Sequence, residues 1–241
     1  MILAAGIGSR LRPLTDRIPK ALLEVGGVPM LELVIRRLVK AGADAVIVNA
    51  FHLADQVEAF LKEHDLGAPV TVSRETELLD TGGGLKRAAA FFSDPAPFFL
   101  HNGDVYSEID LPRMYRAHQH SGALATLAVS ERATQRYLLF DASGRLCGRE
   151  NLKEGGRQWA GAEVPQAQRL AFNGIHVISP ELVSRMTETG VFPITRTYLR
   201  LAGEGAAIRS FRTDESYYND IGDAAKLAEV RRRALEKGFP V

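Results

Sequence analysis

The sequence predicts an α/β fold around a mostly parallel central sheet. Three observations carry that prediction. Strand and helix signals alternate through the first half of the chain. The strands there are continuous apolar runs, as expected where both sheet faces are covered. The first strand also runs straight into a Gly-x-Gly turn, Gly6-Ile7-Gly8. In order, residues 1–5 read as a short buried strand. Residues 29–41 show helical spacing (Leu31, Val34, Ile35, Leu38, Val39) and close on Gly42, a common C-terminal cap. Residues 45–48 are a strand, 54–63 a helix, 70–73 a strand and 84–92 a helix. Residues 98–100 form the next strand, ending at Asn102-Gly103-Asp104. This βαβαβ order calls for right-handed crossovers and parallel pairing.

The second half is more mixed. Residues 111–120 look helical, and 123–129 and 137–140 look like strands. Residues 146–168 lack periodicity and read as a loop or small subdomain. Residues 170–178 are strand-like, and Ser179-Pro180-Glu181 opens a helix by N-cap and first-turn proline. Residues 207–211 and 217–219 are short strands. Residues 223–237 form a last helix with Arg231, Arg232 and Arg233 near its end, where cations suit the dipole. No repeat or linker divides the chain.

Composition narrows the function classes. The 241 residues suffice for a full core, and a formal net charge of +1 gives no reason to expect nucleic acid or an anionic membrane surface. A small-molecule ligand fits better. Cys147 is the sole cysteine, which excludes an internal disulfide and a cysteine-rich zinc site. No apolar run approaches the ~20 residues of a membrane span, and no signal peptide is recognisable. The expected location is the cytoplasm. No sequence signal bears on oligomeric state.

The glycine turn is the first chemical signal. Arg10 and Arg12 follow it at once, and Lys20 follows after Pro19. Glycines let backbone N–H groups approach a phosphate, and cations neutralise it. A dinucleotide fingerprint needs a third glycine near Leu11 and an acidic residue after the second strand, and both are absent. No Gly-Lys-Ser/Thr follows either, so the turn is not a Walker loop. An ordinary strand-to-helix turn with solvated arginines is the plain alternative.

The whole string removes that alternative. Leu3-Ala4-Ala5-Gly6-Ile7-Gly8-Ser9-Arg10-Leu11-Arg12-Pro13-Leu14-Thr15, then Pro19-Lys20, resembles the signature of the sugar-1-phosphate nucleotidylyltransferases. The resemblance implies a three-layer α/β/α, Rossmann-like domain of the glycosyltransferase-A type over 1–241, its nucleotide-binding half at about 1–110 and its sugar-binding half at about 111–241. It implies that the backbone of Ala4, Ala5, Gly6 and Gly8 holds the nucleotide, with Arg10 and Lys20 on its phosphates. Cations there would also stabilise the charge of the transferring group.

Further segments fall in family order. Asp104 in Asn102-Gly103-Asp104 stands at a strand's C-terminal end, where open α/β sheets place ligands. On local sequence it is a common tight turn; the resemblance makes Asp104 a Mg²⁺ ligand and Asn102 a nucleotide contact. Asp220 in Asn219-Asp220-Ile221-Gly222 corresponds to the second metal carboxylate, although Tyr218 stands where the family has tryptophan and Asp223 where it has threonine. Leu79-Asp80-Thr81-Gly82-Gly83-Gly84 resembles the base-recognition loop of small family members, among them the N-acetylmuramate-1-phosphate uridylyltransferases; related mannose-1-phosphate guanylyltransferases differ there. Backbone groups of Thr81 and Gly82 would read the base. Phe172-Asn173-Gly174-Ile175 matches a sugar-pocket segment, with Asn173 on sugar hydroxyls beside Gly174; a polar residue at a strand bulge is the competing reading. The family's Val-Glu-Lys-Pro segment has no clear counterpart in residues 147–153. The six histidines show no ligand spacing except His118-x-His120, which on a helix points to different faces, and Trp159 reads as a packing anchor.

The implied partners are a nucleoside triphosphate, UTP ahead of GTP or CTP, and a sugar 1-phosphate, with Mg²⁺ as cofactor. Three rivals stand beside this reading. They are a cytidylyltransferase acting on a phosphorylated alcohol such as phosphocholine, a glycosyltransferase of similar fold, and a non-catalytic nucleotide-sugar sensor. Glycosyltransferases usually carry Asp-x-Asp, and here Asn102 stands two residues before Asp104.

Overall fold

The structure is a computed structural model that describes residues 1–239. It is an α/β fold of two compact units. The first comprises Met1–Leu79, Leu100–Leu111 and the chain from Ser216; the second comprises Asp80–Phe99 and Pro112–Glu215. Against expected halves of 1–110 and 111–241, residues 80–99 fall in the second unit and the chain from 216 in the first. Among the described residues, no helix is long and apolar enough to cross a membrane.

In the first unit β1 (Ile2–Leu3) lies parallel between β4 (Val46–Ala50) and the end of β6 (Phe98–Asn102), where it pairs with His101 and Asn102, and β5 (Val70–Arg74) pairs parallel with β4. Between β1 and β4 come a short hairpin, β2 (Glu24–Val25) and β3 (Val28–Pro29), and helix α1 (Met30–Lys40). Helix α2 (Ala54–Glu63) returns the chain from β4 to β5. The apolar run of β4 is buried at every position, as the sequence predicts for a strand covered on both faces. Helix α1 buries Leu31, Val34, Ile35 and Leu38, the stripe read from its spacing. The parallel strands all run the same way, so the segments after β1, β4 and β6 leave the sheet at one end.

The second unit opens with α3 (Asp80–Arg87). The predicted helix over 84–92 therefore starts four residues earlier than expected, takes in all three glycines and stops at Arg87, with a 3₁₀ turn at Ala89–Phe91. Beyond β7 (Val105–Ser107), which belongs to the first unit, come α4 (Leu111–Ser121) and β8 (Ala125–Ser130), then β9 (Arg136–Phe140), β10 (Leu146–Asn151), β11 (Arg157–Trp159) and β12 (Gln168–Ile178). Residues 146–168, expected to be a loop or small subdomain, hold the β10–β11 hairpin, which pairs on to β9. Their polar side chains hid the strands because the hairpin is exposed along much of its length. Pairing is antiparallel from β11 through β10, β9 and β12 to β8, and β13 (Ile208–Arg212) runs parallel to β8. Parallel strands need long crossovers, and here consecutive strands are joined by short turns instead.

Helices α5 (Pro180–Ser184) and α6 (Ile194–Gly203) follow β12. Ser179 takes the N-cap position of α5, yet its hydroxyl donates to the Ala123 carbonyl instead of capping. Helix α6 escaped the sequence reading. The chain then returns to the first unit as β14 (Tyr218–Asp220), antiparallel to β7, and α7 (Ala224–Lys237), capped by the Asp223 side chain on the Lys226 N–H.

Candidate active site

The site of the first unit is built by register. Leu3 pairs with Asn49 on one side and Asn102 on the other. The glycine turn after Leu3 and the Gly103-Asp104 turn after Asn102 therefore start level with each other. The Gly103 N–H donates to the Leu3 carbonyl at 2.9 Å, and a Cβ on Gly103 would lie 3.1 Å from that oxygen. The two turns touch because Gly103 carries no side chain.

Gly8 occupies the left-handed region at φ +69°, which strains any side-chain-bearing residue. Thr15 pins this turn: its hydroxyl donates to the Gly8 carbonyl at 2.9 Å. His52, unassigned in the sequence, supports Thr15 by donating from Nε2 to its carbonyl at 2.8 Å. Among the described residues, the backbone N–H groups of Ala5 through Arg10 donate to no protein acceptor. A run of free N–H groups around a left-handed glycine is an anion-binding concavity. Ala4 is the exception within the predicted set. Its N–H donates to Asn49 Oδ1 at 2.7 Å, so it braces the turn from behind instead of facing a ligand.

That bond opens a buried chain the sequence did not reveal. Asn49 Nδ2 donates to Glu75 Oε1 at 2.7 Å, and Glu75 Oε2 accepts the Leu79 N–H at 3.1 Å. Asn49 and Glu75 are 3% and 4% exposed. Removing either leaves a buried polar group unpaired, which costs about 1–3 kcal/mol. An Asn inside a strand was the available signal.

Charge gathers in front of the turn. Lys20 Nζ pairs with Asp104 Oδ2. Asp220 is in register with Val105, next to Asp104, and the Ile221 N–H donates to the Asp104 carbonyl at 2.9 Å. The second predicted metal carboxylate thus comes to the strand beside the first. Lys226 Nζ, one turn into α7, holds Asp220 Oδ2 at 2.7 Å. A Cβ on Gly222 would fall 2.3 Å from Asp220 Oδ1 and 3.1 Å from an Arg10 guanidinium nitrogen, so Arg10 reaches this corner too. Arg37 anchors the supporting strand from below, donating to Ser107 Oγ and the Ile109 carbonyl at 2.8 Å each. Burial lowers its pKa to about 10, which leaves it charged at neutral pH.

The donor set fits a magnesium ion. Mg²⁺ is held by one or two carboxylates and completes its shell with water and phosphate oxygens. Asp104 and Asp220 are such a pair, each now facing a lysine ammonium. Among the described residues no group of three or more His, Cys, Asp or Glu forms a self-sufficient cage.

In the second unit the predicted ligand residues are engaged internally. Asp80 adopts φ +59°, and its side chain accepts the Thr81 N–H at 2.6 Å. The N–H groups of Gly82 and Gly83 both donate to the Phe192 carbonyl, at 2.9 and 3.3 Å. Thr81 Oγ1 accepts the Ile194 N–H at 2.9 Å. Of the backbone groups expected to read the base, the Thr81 and Gly82 N–H groups are thus engaged by the Asp80 side chain and the Phe192 carbonyl. Asn173 stands at a β-bulge, where pairing with β8 shifts register between Phe172 and His176, and Gly174 has φ +70°. The Asn173 side chain is fully buried. It accepts from Arg132 Nε at 3.1 Å and donates to Thr213 Oγ1 at 2.9 Å. Its amide secures the bulge, the competing reading of the sequence.

Comparison with known proteins places the chain among relatives. The model of the family described as nucleotidyl transferase matches residues 1–142. The chain is 31% identical over 251 residues to an N-acetylmuramate alpha-1-phosphate uridylyltransferase of Caulobacter vibrioides, covering 97% of this chain and 96% of that protein. It is also 31% identical over 208 residues to a mannose-1-phosphate guanyltransferase beta-B of Xenopus laevis, covering 80% of this chain but only 55% of that protein. The chain thus spans about half the length of some relatives it matches. A UDP-glucose pyrophosphorylase from Acinetobacter baumanii shares the fold at TM-score 0.78 and 18% identity, covering 98% of this chain and 93% of that one.

Proposed function

The chain belongs to the nucleotidyl transferase family, and from that premise we propose that it transfers a nucleoside monophosphate from a nucleoside triphosphate to a sugar 1-phosphate, releasing pyrophosphate. The observation that carries the reading is the cluster in the first unit. It combines a run of free N–H groups at Ala5–Arg10 with Arg10, Lys20, Asp104 and Asp220 drawn together.

The chemistry follows from that cluster. The turn's N–H groups hold phosphate oxygens, and the Gly8 conformation fixes where they point. Lys20 and Arg10 supply positive charge where negative charge builds during transfer. The sugar phosphate's own oxygen attacks the α-phosphorus and the pyrophosphate oxygen leaves, so the protein contributes no nucleophile. A Mg²⁺ ion held by Asp104 and Asp220 would neutralise phosphate charge there. Lys20 and Lys226 hold these two carboxylates meanwhile, so the site keeps its shape between substrates. The remaining work is alignment of the two substrates.

UTP is the proposed donor, because the chain matches the Caulobacter uridylyltransferase over nearly its full length and carries the Thr81-Gly82-Gly83-Gly84 segment. Such an enzyme would act in the cytoplasm. Asp104→Ala is expected to reduce turnover by at least ~10³-fold with an unchanged thermal melt. Retained activity in a folded Asp104→Ala protein contradicts the assignment.

A further inference from the structure

The second unit contains a pocket that the proposed reaction does not use. It has a volume of about 820 Å³, within the range of small-molecule sites. Its walls come from the β10–β11 hairpin, from α6 and from the irregular segment between α5 and α6. Three arginines line it: Arg149, Arg196 and Arg200. Arg200 is neutralised by buried Glu188 at 2.8 Å and by Glu204 at 2.7 Å. The other two are not. Arg149 bonds only the neutral Gln158, at 2.8 Å, and the Arg196 side chain has no partner among the described residues. Two uncompensated guanidiniums thus share one concavity with the hydroxyls of Thr187 and Thr189. Guanidinium forks and hydroxyls in a concave wall match phosphate oxygens.

The pocket wall is also tied to the base-reading segment of the same unit. The Glu188 carbonyl accepts from Lys86 Nζ at 2.5 Å, and the Phe192 carbonyl accepts from Gly82 and Gly83. The Phe192 ring lies so close that a Cβ on Gly82 would sit 2.3 Å from it. Ile194, the first residue of α6, donates to Thr81. Arg196 is two residues further on. Whatever orders residues 187–196 therefore also orders residues 81–83.

We propose that this pocket binds a phosphorylated small molecule through Arg149 and Arg196, and that its occupancy tightens the Thr81–Gly83 segment. The regulatory half rests on the proposed function, since only that gives the segment its base-reading role; the binding half does not.

Trp159, the only tryptophan of the chain, lines the pocket and reports on it without turnover. Inorganic pyrophosphate is the probe, and Lys20→Ala is the background, which weakens the triphosphate site. Titration is expected to give a saturable change in Trp159 fluorescence. Arg149→Ala and Arg196→Ala are each expected to weaken it about tenfold or more, and together to abolish it. Both side chains are exposed, so the melt should not move; Arg196→Glu alone serves if the double variant misfolds. A silent titration overturns the proposal, as does a response unchanged in the arginine variants. Hydrogen exchange at the Gly82 and Gly83 amides tests the coupling: pyrophosphate should slow it several-fold, and only while both arginines are present. Binding without added protection overturns the regulatory half. Pyrophosphate binding in a protein that catalyses no transfer would sink the function and leave the site.

Discussion

Two glycine-rich segments, one in each unit, look alike in sequence and differ in structure. Gly6-Ile7-Gly8 is a turn; Gly82-Gly83-Gly84 lies within a helix. Gly8 is glycine because its φ is +69°. Gly82 has no such angle and is glycine because the Phe192 ring and carbonyl occupy the space a side chain would take. One segment needs conformational freedom, the other close approach. The first leaves its N–H groups free for a ligand, while the second has donated those of Gly82 and Gly83 to Phe192. Glycine content alone does not tell a phosphate cradle from a packing joint.

Substitutions separate the two causes. Gly82→Ala carries the largest expected loss, about 1–3 kcal/mol by chemical denaturation, since the new methyl overpacks against ring and backbone. Pairing it with Phe192→Leu should recover part of that loss, a non-additivity of at least ~0.5 kcal/mol. Simple addition of the two losses would refute the packing account. Gly8→Ala is expected to destabilise by about 1–2 kcal/mol through backbone strain. Its methyl also falls 2.8 Å from Thr15 Cγ2, yet Thr15→Ser should not restore stability, because the strained angle persists. Full recovery would mean that crowding, not φ, selects glycine there.

The smallest expected effect is a pH response of the second unit. His118 is buried between Thr126 Oγ1 at 2.9 Å and Ser179 Oγ at 3.0 Å, and burial lowers its pKa to about 4. The folded state keeps it neutral, while the unfolded chain protonates it near its ordinary value of about 6.5. Stability from this group is therefore full above pH ~6.5 and declines as pH falls toward 4, by about 1 kcal/mol at pH 5.5. Denaturation of His118→Gln across that range should show a shallower acid limb. His101 in the first unit, lowered to about 3 by burial, keeps its own share of the slope.

The sequence is most legible where one residue type serves one purpose. The covered parallel strands, the amphipathic stripe of α1 and the charged residues around the first turn could all be read from type and spacing. Asp104 and Asp220 are 116 positions apart in the chain, so only the family pattern joined them, and the β7–β14 register shows how they meet. What stayed hidden depends on partners distant in sequence. Asn49 and Glu75 look like ordinary polar residues until they are seen buried behind Ala4. Asn173 is a sugar ligand by motif and a bulge anchor by contact. The β10–β11 hairpin is polar because it is exposed, which removes the alternation that marks a strand.

Pyrophosphate release from a panel of nucleoside triphosphates and sugar 1-phosphates tests the central claim most directly. The account predicts release that requires both substrates, is fastest with UTP and is lost in Asp104→Ala. No release with any pair, or equal release with Asp104 removed, contradicts it.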